Sequence, residues 1–359
     1  MKTFHCTHCQ QLVFFENTHC LNCGYALAYL PDRNVMAAVQ QGADGLWRYE
    51  GPGGQVRAYR LCANYDRENV CNWAVPQGDA QALCRSCRLT HVIPDLSVPG
   101  NPYAWYRLEA AKRRLVYTLL GLGLPLAGKN DPNDPGDTGV EIQFLADSPS
   151  GDGRRVLTGH ENGLITINVA EADDVRREQQ RQLQNELYRT LLGHFRHEIG
   201  HYYWDRLIQG SPRLEAFRQL FGDERADYQQ ALQTHYRNGP PAHWENNFIS
   251  AYAACHPWED WAESWAHFMH MTDALETAAE VGLSLKPGRA DEPSMEIPSN
   301  PLSPRAHNFE RMVEDWMPLT YVLNNLNRAL GLADSYPFVL SAPVAAKLRF
   351  IHETIHAVG

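Results

Sequence analysis

The sequence predicts an α+β protein: a cysteine-rich amino-terminal region clipped by metal, then a mainly helical domain with a small antiparallel sheet in front of its central helix. Three observations carry this expectation. Eight of the nine cysteines fall before residue 90, in the groups Cys6, Cys9, Cys20, Cys23 and Cys62, Cys71, Cys84, Cys87, and only Cys255 lies elsewhere. Beyond residue 100 the apolar residues recur with helical period, as in Leu187, Leu191, Phe195, Tyr202 and Leu207. Between the first two helical stretches lie short segments of alternating or β-branched residues at 140–145, 155–158 and 164–169, which read as strands.

In order along the chain, residues 1–30 hold Cys6-x-x-Cys9 and Cys20-x-x-Cys23-Gly24. Two such knuckles place four thiolates around zinc, and a segment this short cannot fold on apolar burial alone. A closed four-thiolate site is structural, because it leaves no open position for chemistry. Residues 31–98 form a second cysteine module around Cys62, Cys71 and Cys84-x-x-Cys87, with glycine-rich turns ahead of it. A second structural zinc is expected there; the plainer reading makes Cys62 and Cys71 small core residues.

Residues 99–359 form the third unit. A helix is expected at 103–120, a loop at 128–136 and a turn at 148–153 between the first two strands. The stretch Leu164-Ile-Thr-Ile-Asn168 is a candidate edge strand for an extended substrate backbone. Acidic residues 171–174 open a helix running to Leu207 with a break near Gly193, and further helices are expected at 213–221, 223–236, 245–254, 258–279, 305–330 and 344–356. Residues 286–305, rich in Pro and Ser, read as a connection.

The chemistry concentrates at His197-Glu198-Ile199-Gly200-His201. On a helix, residues four apart share a face, so both imidazoles reach one metal ion while Glu198 points at its water. A catalytic zinc wants a third protein ligand and one open position. Glu259 and Glu263, again four apart, lie among Trp258, Trp261, Ala262 and Trp265. We take Glu259 as the ligand and Glu263 as the acid that orients an imidazole; the reverse satisfies the spacing equally. Asp205 either supports a ligand in the same way or pairs with Arg206. A second match, His352-Glu353-Thr354-Ile355-His356, has no downstream residue to complete it and reads as a decoy. His194, His267 and His270 read as packed histidines, and Cys255 as a small buried thiol.

The runs Tyr188 to Leu207, Ser250-Ala-Tyr252 and Glu259-Asp-Trp-Ala-Glu263, with Cys71-Asn-Trp-Ala-Val-Pro76 and the segment 83–94, resemble a bacterial family of zinc-binding metallopeptidases with an amino-terminal zinc ribbon. The resemblance spans nearly the whole chain. It implies a zincin-like domain of gluzincin type with one catalytic zinc, beside the two structural zinc ions expected from the cysteine groups. It further implies that Glu198 is the general base for hydrolysis of peptide bonds and that Tyr252 donates to the oxyanion; a buried core tyrosine is the plainer reading of Tyr252.

Composition narrows the partners. The chain is 44% hydrophobic and 21% charged, ordinary for a globular protein, with formal charge −10. The first hundred residues hold eight basic and eight acidic side chains. Both facts argue against nucleic acid and anionic membranes; a peptide or protein substrate is what the resemblance implies. No stretch approaches the roughly 18 apolar residues of a membrane span, and no signal-like apolar run opens the chain, so a cytoplasmic location is expected. The rival reading is a catalytically silent adaptor whose ribbons bind a protein or nucleic acid.

Overall fold

The computed structural model of the chain describes residues 1–129, 131, 138–147, 156–183, 186–303 and 308–358. The loop expected at 128–136 and the turn at 148–153 lie mostly outside these residues, as do residues 305–307 of the helix expected to begin there.

In the cysteine-rich half, β1 (Phe4–His5) and β2 (Leu12–Val13) pair antiparallel across a reversal that carries Cys6 and Cys9. Cys20 and Cys23 occupy a second reversal, in which Gly24 adopts φ 74° and donates its N–H to the Cys20 carbonyl at 2.8 Å, a conformation that favours glycine. An antiparallel sheet follows in simple order: β3 (Ala26–Leu30), β4 (Val35–Gln41), β5 (Trp47–Glu50), β6 (Val56–Leu61) and β7 (Ala74–Pro76). The boundary expected at residue 30 thus falls in the β3–β4 turn, and one sheet serves both cysteine groups. Cys62 follows β6 and caps the short α1 (Ala63–Asp66), while Cys71 precedes β7. Phe4, Phe15 and Tyr29 pack against Tyr117 of α2 (Asn101–Gly121), with Trp73 against Phe15 and Tyr29, so the sheet shares its core with the helical half.

The second sheet has the order β10–β11–β9–β8, from β8 (Thr90–Val92), β9 (Glu141–Leu145), β10 (Gly159–Glu161) and β11 (Leu164–Asn168). The β10/β11 hairpin is antiparallel; β9 pairs parallel with both β11 and β8. Strand β8 comes from the second cysteine module, so the boundary expected near residue 98 is bridged by hydrogen bonds. The expected edge strand at 164–168 is corrected: β11 is internal, and β10 forms the edge. Asn162 and Gly163, at φ 49° and 80°, make the two-residue turn that folds β10 back on β11. Residues 156–158, expected as a strand, are irregular.

Seven helices follow among the described residues: α3 (Asp174–Leu183), α4 (Leu191–Leu207), α5 (Leu214–Phe221), α6 (Tyr228–Asn238), α7 (Pro257–Glu280), α8 (Phe309–Ala329) and α9 (Ala342–His356). The break expected near Gly193 lies earlier, because Thr190 caps α4 by accepting from the Gly193 N–H at 3.0 Å. The helix expected at 245–254 is absent. Only the 3-10 turns Trp244–Asn246 and Ala253–Cys255 form, since the Ser250 hydroxyl takes the Ala253 N–H at 3.1 Å and so competes with helical pairing. Helices α4 and α7 cross at the centre, where Gly200 lies against Ala262 and Trp265. Among the described residues no helix is long and apolar enough to cross a membrane.

Candidate metal centre

Helix α4 presents His197 and His201 on one face, and the first turn of α7 sets Glu259 opposite them. His256 caps α7 through its side chain, which accepts the Trp258 N–H at 3.2 Å, and Pro257 opens the helix. This fixes where the following turn begins. Glu259 Oε2 lies 3.0 Å from His197 Nε2 and 3.5 Å from His201 Nε2, and the two nitrogens are 3.2 Å apart. Donors bound tetrahedrally at about 2.0–2.1 Å from one zinc stand about 3.3 Å apart, so the three atoms fit that ion. Glu259 is 1% exposed, and its Oε2 makes no hydrogen bond among the described residues. Burial opposes its ionisation, yet His201 and His197 together hold its carboxyl well below the usual range.

Glu263, one turn on, lies against the other side of the His197 ring. Its Oε1 stands 2.7 Å from His197 Nδ1, and Ser250 donates to its Oε2 at 2.7 Å. A carboxylate only accepts, so Nδ1 carries a proton, and Nε2 is the nitrogen this ring turns toward Glu259 and His201. Of the two assignments the spacing allowed, the structure brings Glu259 to the imidazole Nε2 atoms and Glu263 to the far side of one ring.

Glu198 is buried at 7% exposure, within electrostatic reach of His197, His201 and Glu259. Burial raises its proton affinity, and the two histidines offset this in part. The Tyr252 ring lies 6.0 Å from that of His197, and burial pushes its phenol well above the ordinary value. Asp205 makes no hydrogen bond to either imidazole of the triangle among the described residues; its carboxylate lies 3.9 Å from His160 Nε2.

Two site residues escaped the sequence reading. His160, on edge strand β10, stacks on His201 with ring centroids 6.3 Å apart and accepts the Gly163 N–H on Nε2 at 2.9 Å; burial lowers its pKa to about 3. The Asn-Gly pair at 162–163 was the signal for this hairpin. Tyr228, first residue of α6, donates its hydroxyl to Glu259 Oε1 at 2.6 Å. Asp227, a good helix cap, foretells a helix start there but not the contact.

The decoys stay apart. His194 Nδ1 faces Glu171 Oε2 at 3.2 Å, His267 Nδ1 faces the Tyr336 hydroxyl at 2.9 Å, and His270 packs between Tyr188 and Trp316. The His352 and His356 rings lie 4.1 Å apart, but no third donor joins them among the described residues.

Both cysteine groups do converge. Cys6 and Cys23 Sγ are 3.7 Å apart, Cys9 and Cys20 Sγ 3.6 Å, and Cys71 and Cys84 Sγ 3.8 Å. Thiolates bound tetrahedrally at about 2.3 Å stand about 3.8 Å apart, so these spacings also fit zinc. In each group four sulfurs lie within 4.8 Å of one another.

Residues 101–354 match the model of the family described as "Putative zinc-binding metallo-peptidase", and residues 3–98 match that of a zinc-ribbon domain. The chain is 44% identical over 360 residues to proteins of Mycobacterium tuberculosis and Mycobacterium bovis that are named only as uncharacterised, covering 100% of this chain and 96% of theirs. No solved structure matches. The family match over most of the chain, the ribbon match before it and the zinc-compatible side chains in both halves agree: the chain belongs to this zinc-binding metallo-peptidase family, with an amino-terminal zinc ribbon.

Proposed function

We propose that the chain is a zinc-dependent peptidase of gluzincin type that cleaves peptide or protein chains. In this reading His197, His201 and Glu259 hold one catalytic zinc, and each four-cysteine group holds a structural one. The observation that carries it is the triangle of donor atoms at 3.0, 3.2 and 3.5 Å, drawn from two helices, with Glu198 buried beside it.

Bound there, zinc would polarise a water molecule and the scissile carbonyl. Glu198 takes the proton of the attacking water and passes it to the leaving amine; the raised proton affinity that burial gives it suits both transfers. Tyr252, kept protonated by burial, donates to the oxygen that becomes negative. Edge strand β10, beside α4, has one side that pairs with no other strand among the described residues, and an extended substrate can add there as a further strand. His160, with its pKa lowered by burial to about 3, brings no positive charge beside His201 at neutral pH.

An adaptor would have no use for a buried acid beside a complete donor set, and the balanced charge of the ribbon region gives nucleic acid no purchase. Replacing Glu198 by Gln is expected to leave metal bound and to abolish cleavage in a proteomic digest compared with wild type. Metal analysis should find about three zinc per chain, one of them removed by a mild chelator because its site is open. Cleavage that survives Glu198→Gln would reject the mechanism. Zinc that is all tightly held would favour the adaptor.

A further inference from the structure

We propose that Tyr228 is a positioning residue that commits the Glu259 carboxylate to the metal through one oxygen only. The proposal rests on the reading of His197, His201 and Glu259 as a zinc site and says how that site is kept four-coordinate. The two carboxylate oxygens are treated differently. Oε1 accepts the Tyr228 hydroxyl at 2.6 Å, whereas Oε2 faces both imidazole Nε2 atoms and makes no hydrogen bond among the described residues. With Glu259 1% exposed, water has little access to replace the tyrosine.

The hydroxyl is held in place from both ends. Asp227 caps α6 by accepting the Gln230 N–H at 2.9 Å, which fixes Tyr228 as the first residue of the helix. His256 Nε2 lies 3.1 Å from the Ala226 carbonyl, and the His256 ring meets the Tyr228 ring edge-on at 5.2 Å. The same His256 caps α7, whose first turn carries Glu259. The starts of α6 and α7 are therefore pinned together through one histidine, with the tyrosine and the glutamate facing each other across the joint.

A carboxylate with both oxygens free can swing to hold zinc bidentately. That would fill a coordination position which the attacking water and the substrate carbonyl need. A phenol donating to one oxygen occupies one of its lone pairs, lowers its basicity and fixes the carboxylate plane, so the other oxygen is favoured as the donor, as partners of metal ligands generally do when they orient a ligand. This separates Tyr228 from Tyr252, whose ring approaches that of His197.

The test uses the full-length protein with its exchangeable metal removed and both four-cysteine zincs retained. Wild type, Tyr228→Phe and Tyr252→Phe are titrated with zinc against a chromogenic chelator, then loaded with cobalt for visible spectroscopy. Phenylalanine keeps the ring that packs on His256 and Trp258 and removes only the hydroxyl. In Tyr228→Phe, zinc affinity at the exchangeable site should fall about 10- to 100-fold. The cobalt bands of the same variant should weaken as coordination rises from four to five. Tyr252→Phe should match wild type in both measurements. The spectrum reads only folded, metal-loaded protein, so a loss of stability in the Phe variant does not obscure it. Wild-type affinity and an unchanged spectrum in Tyr228→Phe would overturn the proposal while leaving the zinc reading intact. Failure of wild type itself to take up an exchangeable metal would overturn that reading, and this proposal with it.

Discussion

Gly200, between His197 and His201 in sequence, sets how closely α4 approaches α7. A Cβ built there would lie 3.1 Å from Trp265 Cβ and 3.2 Å from Ala262 Cα, and the Gly200 carbonyl already accepts the Trp261 indole N–H at 2.8 Å. Alanine would gain about 1 kcal/mol of helix propensity, but overpacking against backbone atoms costs about 1–3 kcal/mol. We expect Gly200→Ala to destabilise the protein by about 1 kcal/mol in urea unfolding and to weaken the exchangeable metal. A more stable variant would show that the helices part freely. Glu263 gives a second residue-scale expectation: Glu263→Ala leaves His197 Nδ1 without its acceptor, and zinc affinity should fall about 10- to 100-fold in chelator competition while both four-cysteine zincs stay. His197, His201, Glu259 and Glu263 were legible because four-residue spacing dictates which side chains share a helix face. Tyr228 was not, because its contact with Glu259 spans 31 residues and depends on how two helix starts meet.

Helix α2 links the second cysteine group to the helical half, and the charges on it answer those of the cluster. Cys62, Cys71, Cys84 and Cys87 are all buried, and zinc with four thiolates carries two net negative charges. Arg113 on α2 is 1% exposed; burial opposes its charge, but Cys71, Glu109, Cys87 and Cys84 together hold the guanidinium protonated. Next to it Lys112 and Glu109 form a fully buried pair at 2.9 Å, and Glu109 also accepts the Thr90 hydroxyl at 2.8 Å. Arg113 itself donates to the Val70 carbonyl, and leaving a buried acceptor unsatisfied costs about 1–3 kcal/mol. Arg113→Met is therefore expected to lower stability by about that much and to release the second structural zinc in metal analysis. The exposed neighbour Arg114, paired with Glu16, should cost less than about 1 kcal/mol when replaced by Ala. Equal effects at 113 and 114 would remove the argument. At this scale α2, α7 and α9 were legible to within a few residues from apolar period and capping signals. In two of the misread elements a side chain or turn diverted the backbone: Ser250 capturing the Ala253 N–H, and Asn162-Gly163 turning the chain to make β10 an edge.

Across the whole molecule, the three units read from composition share one core. Sequence pattern reveals runs rich in cysteine or in helix-formers, but not that β8 crosses from one half to pair with β9, or that Tyr117 seats itself among Phe4, Phe15 and Tyr29. A core so continuous holds titratable groups in forms that water would not favour. His267, 7% exposed and facing the Tyr336 hydroxyl, has its pKa lowered by burial to about 4; Glu263 opposes the shift and Arg196 adds to it. The unfolded chain takes a proton there near the ordinary value of about 6.5, so between that pH and about 4 the unfolded state binds more protons at this site. Stability from this group is present above pH 6.5 and falls as the pH drops, by about 1.4 kcal/mol per pH unit. Zinc release also destabilises the protein in acid, so the measurement is the difference between wild type and His267→Gln, which keeps a hydrogen-bonding side chain toward Tyr336. Urea unfolding from pH 7 to pH 4.5 should show the gap closing in favour of the variant as pH falls. Parallel curves would mean that His267 takes its proton in the folded state as readily as in the unfolded one.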